Sequence, residues 1–160
     1  MRMLVLGAGL QGSACAYDLL RNPAVERVTI ADLHPERLAP FLAATKDPRL
    51  APLTLDVADG AAARRVMAEH DAAMSAIPYY FNGPMAAAAV DAKCHFADLG
   101  GNTEIVFEQK QLDARAVEQG VSVVPDCGLA PGMVNILAAE GIRRMDRVER
   151  VKIFVGGLPQ

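Results

Sequence analysis

Gly7, Gly9 and Gly12 follow the short apolar run Met3 to Leu6, and Asp32 closes the β-branched run Val28 to Ile30, 20 residues past Gly12. Glycines so spaced between a strand and a helix can hold a diphosphate without using a side chain. The first lets the chain leave the strand abruptly, the second removes a Cβ that would block the backbone amides, and the third lets the new helix lie close on the sheet. The helix N-terminus adds unpaired N–H groups and a partial positive charge. A carboxylate at the end of the next strand accepts hydrogen bonds from a ribose diol and repels a 2′-phosphate, so Asp32 predicts NAD rather than NADP.

Further chemistry-bearing residues stand at the ends of later apolar runs. Asp56 and Val57 close the run from Leu53. They either flank an adenine ring or leave Asp56 as the cap of the next helix, a role Asp59 would serve as well. Ala76, Ile77 and Pro78 end the run from Ala72, at the edge that borders the nicotinamide half of a dinucleotide. Tyr79, Tyr80 and Phe81 follow at once and either wall the substrate or pack beneath the next helix. Asp98 ends the run from Cys94 and precedes Gly100 and Gly101, where ligand and backbone can approach closely. It is the acid nominated as a general base, although a group with a reference pKa near ~4 needs strong desolvation for that role. Neither Tyr79 nor Tyr80 has a lysine four residues on, which excludes the Tyr-x-x-x-Lys pattern of short-chain dehydrogenases.

These residues need an alternating scaffold, and the pattern supplies one. Gly12, Cys15, Ala16, Leu19 and Leu20 share one helical face, and Asn22-Pro23 ends that helix. Helices are predicted from Pro35 to about Ala44, Asp59 to Glu69, Pro84 to Ala92, Thr103 to Gln119, and Pro131 to about Met145. Strands are predicted at Leu53 to Val57, Ala72 to Pro78, Cys94 to Leu99 and Val121 to Val124. This is an α/β fold, a Rossmann-type doubly wound parallel sheet covered on both faces. Val151, Ile153 and Val155 then alternate with Arg150, Lys152 and Phe154, which predicts a half-buried strand of a different, open sheet. The expected division is 1–126 for the NAD-binding domain and 127–160 for a connecting helix and the first strand of an incomplete α/β substrate domain.

Bulk properties exclude several classes. A net charge of −3 offers no general attraction to nucleic acid or to an anionic membrane. No apolar run approaches the roughly 18 residues that a membrane span needs. Met1-Arg2-Met3 and the apolar stretch after it mimic a secretory signal, but the stretch is short and broken by glycines, and the expected location is cytoplasmic. Cys15, Cys94 and Cys127 are odd in number and far apart, so they read as buried thiols. His34, His70 and His95 lack ligand spacing, and no metal is expected.

The stretches VLGAGLQGSACAYDLL, VTIADLHPERL, ADLGGNTE, VVPDCGLAPGMVNILAAEGI and VKIFVGGLP together resemble the saccharopine dehydrogenase and lysine 6-dehydrogenase family, the lysine 6-dehydrogenase branch most closely. The run Asp126 to Gly132 discriminates more than the glycine turn does. The resemblance assigns Gly7, Gly9, Leu10, Gln11 and Gly12 to the diphosphate, Asp32 to the adenosine ribose, and Asp56 and Val57 to the adenine. It places Ala76, Ile77 and Pro78 beside the nicotinamide ribose, and Tyr79, Asp98, Gly100 and Cys127 near the substrate. It implies an NAD-dependent oxidoreductase acting on the CH–NH group of a lysine- or saccharopine-like amino acid, dimeric through its substrate domain. The alternatives are a non-catalytic NAD-binding module and a carboxynorspermidine- or homospermidine-type dehydrogenase. The chain alone is expected to be inactive, since most substrate-holding residues of such a family would lie beyond Gln160.

Overall fold

A computed structural model describes residues 1–156. Six parallel strands form one sheet in the order β3-β2-β1-β4-β5-β6, with β1 Arg2–Leu6, β2 Arg27–Asp32, β3 Leu50–Thr54, β4 Ala72–Ser75, β5 His95–Asp98 and β6 Val123–Val124. That is the doubly wound order, which reverses direction between β1 and β4. Leu6 stands opposite both Ala31 and Ser75, and Ser75 opposite Asp98, so the strand ends that matter fall in one row.

Period-2 alternation divides the core between the two faces. Leu4, Leu6, Ala73 and Phe96 pack with Met67, Met85, Ala86 and Ala89 beneath helices α3 (Gly60–Met67) and α4 (Asn82–Asp91). Val5, Val28 and Ile30 point the other way, onto Ala16 and Leu20 of α1 (Leu10–Leu20) and Leu42 of α2 (Pro40–Ala43). Helices α5 (Thr103–Lys110) and α6 (Asp113–Gln119) pack on α4. Four helices therefore share one face. On the other, a trough of about 530 Å³ lined by Met3, Cys15, Leu19, Met74, Ala97 and Val124 lies open beside α1. The expectation of a sheet covered on both faces holds only for its β1–β3 half on that side.

Local chemistry explains where element bounds depart from the pattern. The helix expected from Pro35 shrinks to Pro40–Ala43, because Pro40 holds Ala39 in an extended conformation (ψ 143) and only then starts a helix. The strand expected at Leu53 runs instead from Leu50 to Thr54, and Pro52 is tolerated because β3 is an edge strand. The long helix from Thr103 breaks after Lys110 into α5 and α6, and Gly120 (φ 70) ends the second as expected. Asn102 caps α5, its Oδ1 accepting from the amides of Glu104 and Ile105. Arg49 links the carboxylate of Asp47 to the carbonyls of Leu20, Asn22 and Val25 at the end of α1. His70 ties α3 to β2. Its Nδ1–H donates to Val66 O at 2.7 Å, and Nε2 accepts from the Thr29 hydroxyl at 2.8 Å.

Helix α7 (Met133–Arg143) has no fully buried residue. The strand expected over Arg150 to Val155 does not form among the described residues. Val151, Ile153 and Val155 are exposed, because a strand exists only with a neighbour to bond. The last residues of the VKIFVGGLP stretch, from Gly157, and Gln160 lie outside the described residues. No helix among the described residues is long and apolar enough to cross a membrane.

Candidate functional site at the carboxyl ends of the strands

The glycine turn is built around contacts that only glycine permits. Gly7 leaves β1 with φ +99, donates to Ala31 O at 2.7 Å, and has Ala76 O 2.8 Å from where a Cβ would sit. At Gly12 a Cβ would stand 1.9 Å from Gly7 O, so the helix rests directly on the turn. Gly9 is different: a Cβ there would meet nothing within 4 Å. It is the extended N-cap of α1, with no side-chain acceptor for the first-turn amides, and Leu10 and Gln11 beside it are exposed. The turn thus presents free N–H groups to open space, as a diphosphate requires. Ser13, not foreseen from the sequence, is fully buried and braces the turn, donating to Ala8 O at 3.0 Å and accepting from Ala39 N at 3.1 Å. Its signal was a polar residue one position past the glycine that faces the sheet.

Asp32 is joined to this turn. Its Oδ2 accepts from Ala8 N at 2.7 Å and its Oδ1 from His34 N at 2.9 Å. Each carboxylate oxygen keeps a second lone pair, so two hydroxyls can still be accepted. A pocket of about 170 Å³ lined by Ala8, Gly9, Asp32, His34 and Arg37 lies at this point. Asp56 follows β3 and uses Oδ1 to accept from Ala58 N at 2.9 Å. The helix cap is Asp59, which accepts from Ala62 N at 2.9 Å, so the cap alternative for Asp56 is removed. Val57 is half-buried against the α3–α4 core.

On the other side of the turn, Ala76 N donates to Leu6 O at 2.8 Å, which carries Ala76, Ile77 and Pro78 across the end of β1. β4 itself stops at Ser75, whose hydroxyl donates to Asn82 Oδ1 at 2.7 Å. Tyr79, Tyr80 and Phe81 form a 3-10 turn, and the packing role foreseen for the three falls to Phe81 alone. Phe81 packs on the core, while Tyr79 and Tyr80 remain exposed. Tyr79 lies against Gly101, where a Cβ would come within 2.8 Å of the Tyr79 Cβ.

Asp98 requires correction as a catalytic acid. It is 0 % exposed, with Oδ1 accepting from Gly100 N (2.7 Å) and Asp126 N (3.2 Å) and Oδ2 from Gln109 Nε2 (2.7 Å). Its carbonyl also accepts from Cys127 N at 2.7 Å. A carboxylate so enclosed cannot take a proton from a substrate carbon and instead pins the Gly100 and Asp126 loops to helix α5. The signal was present in the pleat, since Asp98 shares the inward phase of Phe96.

The loop after β6 closes the cleft. Gly100 (φ +76) has Asp126 Oδ1 2.0 Å from a would-be Cβ, and Gly128 has Leu99 O at 2.3 Å. Asp126 and Gly128 therefore lie close against the segment that follows β5. Cys127 is exposed at the rim, unlike Cys94, whose burial, with Asp71 adding, pushes its thiol up to about 12. The Cys127 thiol also lies above the ordinary value, through partial desolvation first and then Asp98 and Asp126. Another cleft, of about 630 Å³, lies elsewhere, along the free edge of β6 between Gln109 and Pro125.

Comparison with known proteins fits this arrangement. The family model described as "Saccharopine dehydrogenase NADP binding domain" matches residues 3–124. The chain is 29 % identical over 161 residues to saccharopine dehydrogenase (NADP(+), L-glutamate-forming) of Saccharomyces cerevisiae, covering 98 % of this chain and 34 % of that protein. It is 26 % identical over 165 residues to the mitochondrial alpha-aminoadipic semialdehyde synthase of Bos taurus, covering 99 % of this chain and 17 % of that one. Among solved structures, the apo histidine-tagged saccharopine dehydrogenase (L-Glu forming) from Saccharomyces cerevisiae superposes with a TM-score of 0.72 at 26 % identity, over 89 % of this chain and 30 % of that one. GenD2 from gentamicin A biosynthesis, solved with NAD, has a TM-score of 0.58 at 23 % identity over 90 % of this chain and 39 % of that one, and shares the fold. The chain spans about a third of the length of the Saccharomyces cerevisiae relative.

Proposed function

The chain belongs to the saccharopine dehydrogenase NADP binding domain family, and from that membership we propose that it is the cofactor-binding part of an oxidoreductase acting on the CH–NH group of a lysine- or saccharopine-like amino acid. The family's description and the Saccharomyces cerevisiae relative name NADP, and it is Asp32 that supports NAD for this chain. The observation that carries this reading is the 2.7 Å bond from Ala8 N to Asp32 Oδ2, which fixes a carboxylate at the rim of the glycine turn. A ribose diol can donate to that carboxylate. A 2′-phosphate placed there would meet a negative charge instead.

The amides of Gly9 to Gly12 would hold the diphosphate, and Asp56 and Val57 would lie at the adenine. Ala76, Ile77 and Pro78 would border the nicotinamide ribose, with Tyr79, Gly100 and Cys127 toward the substrate. When bound, the nicotinamide supplies the hydride acceptor for a carbon bearing nitrogen. What the chain contributes is position and exclusion: Gly7 and Gly12 set the turn, and Asp98 holds the Gly100 and Asp126 loops over the cleft. Cytoplasmic location and a homodimer formed outside this domain complete the reading.

A second reading, a nucleotide-binding module without catalysis, is favoured by the burial of Asp98, which removes the one acid nominated as base. The two are separated by assaying the product of the complete reading frame with NAD against lysine, saccharopine, carboxynorspermidine and homospermidine. Reduced nicotinamide is expected to accumulate with one of these amines, and the 160-residue chain alone is expected to form none. Silence of the complete product across the panel would favour the module, and turnover by the 160-residue chain would contradict the expectation that it is inactive alone.

A further inference from the structure

Resting on the assignment of the Asp32 pocket to the adenosine ribose, we infer that Glu36 is a specificity-determining residue, rejecting NADP by offsetting the Arg37 cation at the rim of that pocket. The pocket is lined by His34 and Arg37 as well as by Ala8, Gly9 and Asp32. Two basic side chains at a ribose 2′ position are what a 2′-phosphate would use. Asp32 alone only balances the Arg37 charge and leaves the loop without net repulsion, and its oxygens are held by the amides of Ala8 and His34.

Glu36 lies beside both basic side chains. Its Oε1 lies 3.4 Å from His34 Nδ1 and 3.8 Å from Arg37 Nε, while Glu36 does not itself line the pocket. The turn that sets this geometry is closed by Arg37 N donating to His34 O at 3.0 Å and anchored by His34 N on Asp32. The formal charges of Asp32, Glu36 and Arg37 sum to −1, and a 2′-phosphate faces a repulsive loop. Without Glu36 they sum to zero, and the guanidinium is free to bond a phosphate oxygen. NAD has an uncharged hydroxyl at this position, so its affinity is nearly indifferent to the change.

The three side chains are exposed, so each pair is individually weak and screened by salt. The effect is measurable nonetheless, because the ligand group itself carries nearly two charges. Glu36→Gln is expected to tighten NADPH binding by about tenfold at low salt, with NADH changed less than about twofold. Arg37→Ala added to Glu36→Gln is expected to erase the gain, and Glu118→Gln, the same charge change on α6, to leave the wild-type ratio. The readout is the pair of dissociation constants by calorimetry. An unchanged ratio in Glu36→Gln, or an equal gain in Glu118→Gln, overturns the role of Glu36 while leaving the site intact. Binding of neither nucleotide by the wild-type chain overturns the site and this inference together.

Discussion

Replacement of Asp98 by alanine is expected to lower the unfolding free energy by about 3–5 kcal/mol, a large share of the stability of a domain this size. Three donors would lose their acceptor at once: Gly100 N, Asp126 N and Gln109 Nε2. Gln109 is itself buried, and its Oε1 is the one buried side-chain polar atom without a partner among the described residues. Asp98→Asn should therefore be far milder, at about 1 kcal/mol. The asparagine oxygen can still accept from Gly100 and Asp126, and its new amide can donate to the Gln109 oxygen once that amide turns over. Urea unfolding of the two variants checks this. Equal, small losses would mean that the carboxylate is not holding the loops. Were Asp98 a general base, asparagine would be as damaging to function as alanine and neither would need to unfold the chain.

Gly12→Ala is expected to be the most damaging single methyl in the glycine turn. In an ordinary helix this change stabilises by about 1 kcal/mol. Here the added Cβ would lie 1.9 Å from Gly7 O and 2.9 Å from Gly7 C, and backbone on both sides leaves no flexible group to yield. Separating α1 from the turn is expected to cost about 2–4 kcal/mol and to weaken NADH binding by about a hundredfold. Gly9→Ala provides the contrast. Its Cβ meets nothing in the protein, so stability should stay within about 0.5 kcal/mol while NADH affinity falls. Thermal unfolding and NADH titration of both variants separate the roles. Equal behaviour would mean that the space over Gly9 is not where a ligand sits.

These contrasts show what could be read from residue order. The order of strand, glycine turn, helix and acid was legible because each part is local. Gly7, Gly12 and Asp32 act through the backbone within one strand–helix–strand unit, and their spacing is their geometry. Asp98 was legible as a strand-end acid near the cleft but not as a buried one, since its partners Gln109 and Asp126 come from 11 and 28 residues away. Ser13 was missed for the same reason: Ala39 is 26 residues on. The Val151 to Val155 alternation was read as a half-buried strand, yet alternation specifies only which side would be buried. A strand also needs a neighbour, and pairing is not a property of one segment.

The measurement that bears most directly on this site is calorimetric titration of the wild-type 160-residue chain with NADH and with NADPH at the same low ionic strength. NADH is expected to bind with one-to-one stoichiometry and at least about tenfold more tightly than NADPH, because Asp32 and Glu36 both oppose a 2′-phosphate. Equal affinities, tighter NADPH, or no binding of either would contradict it.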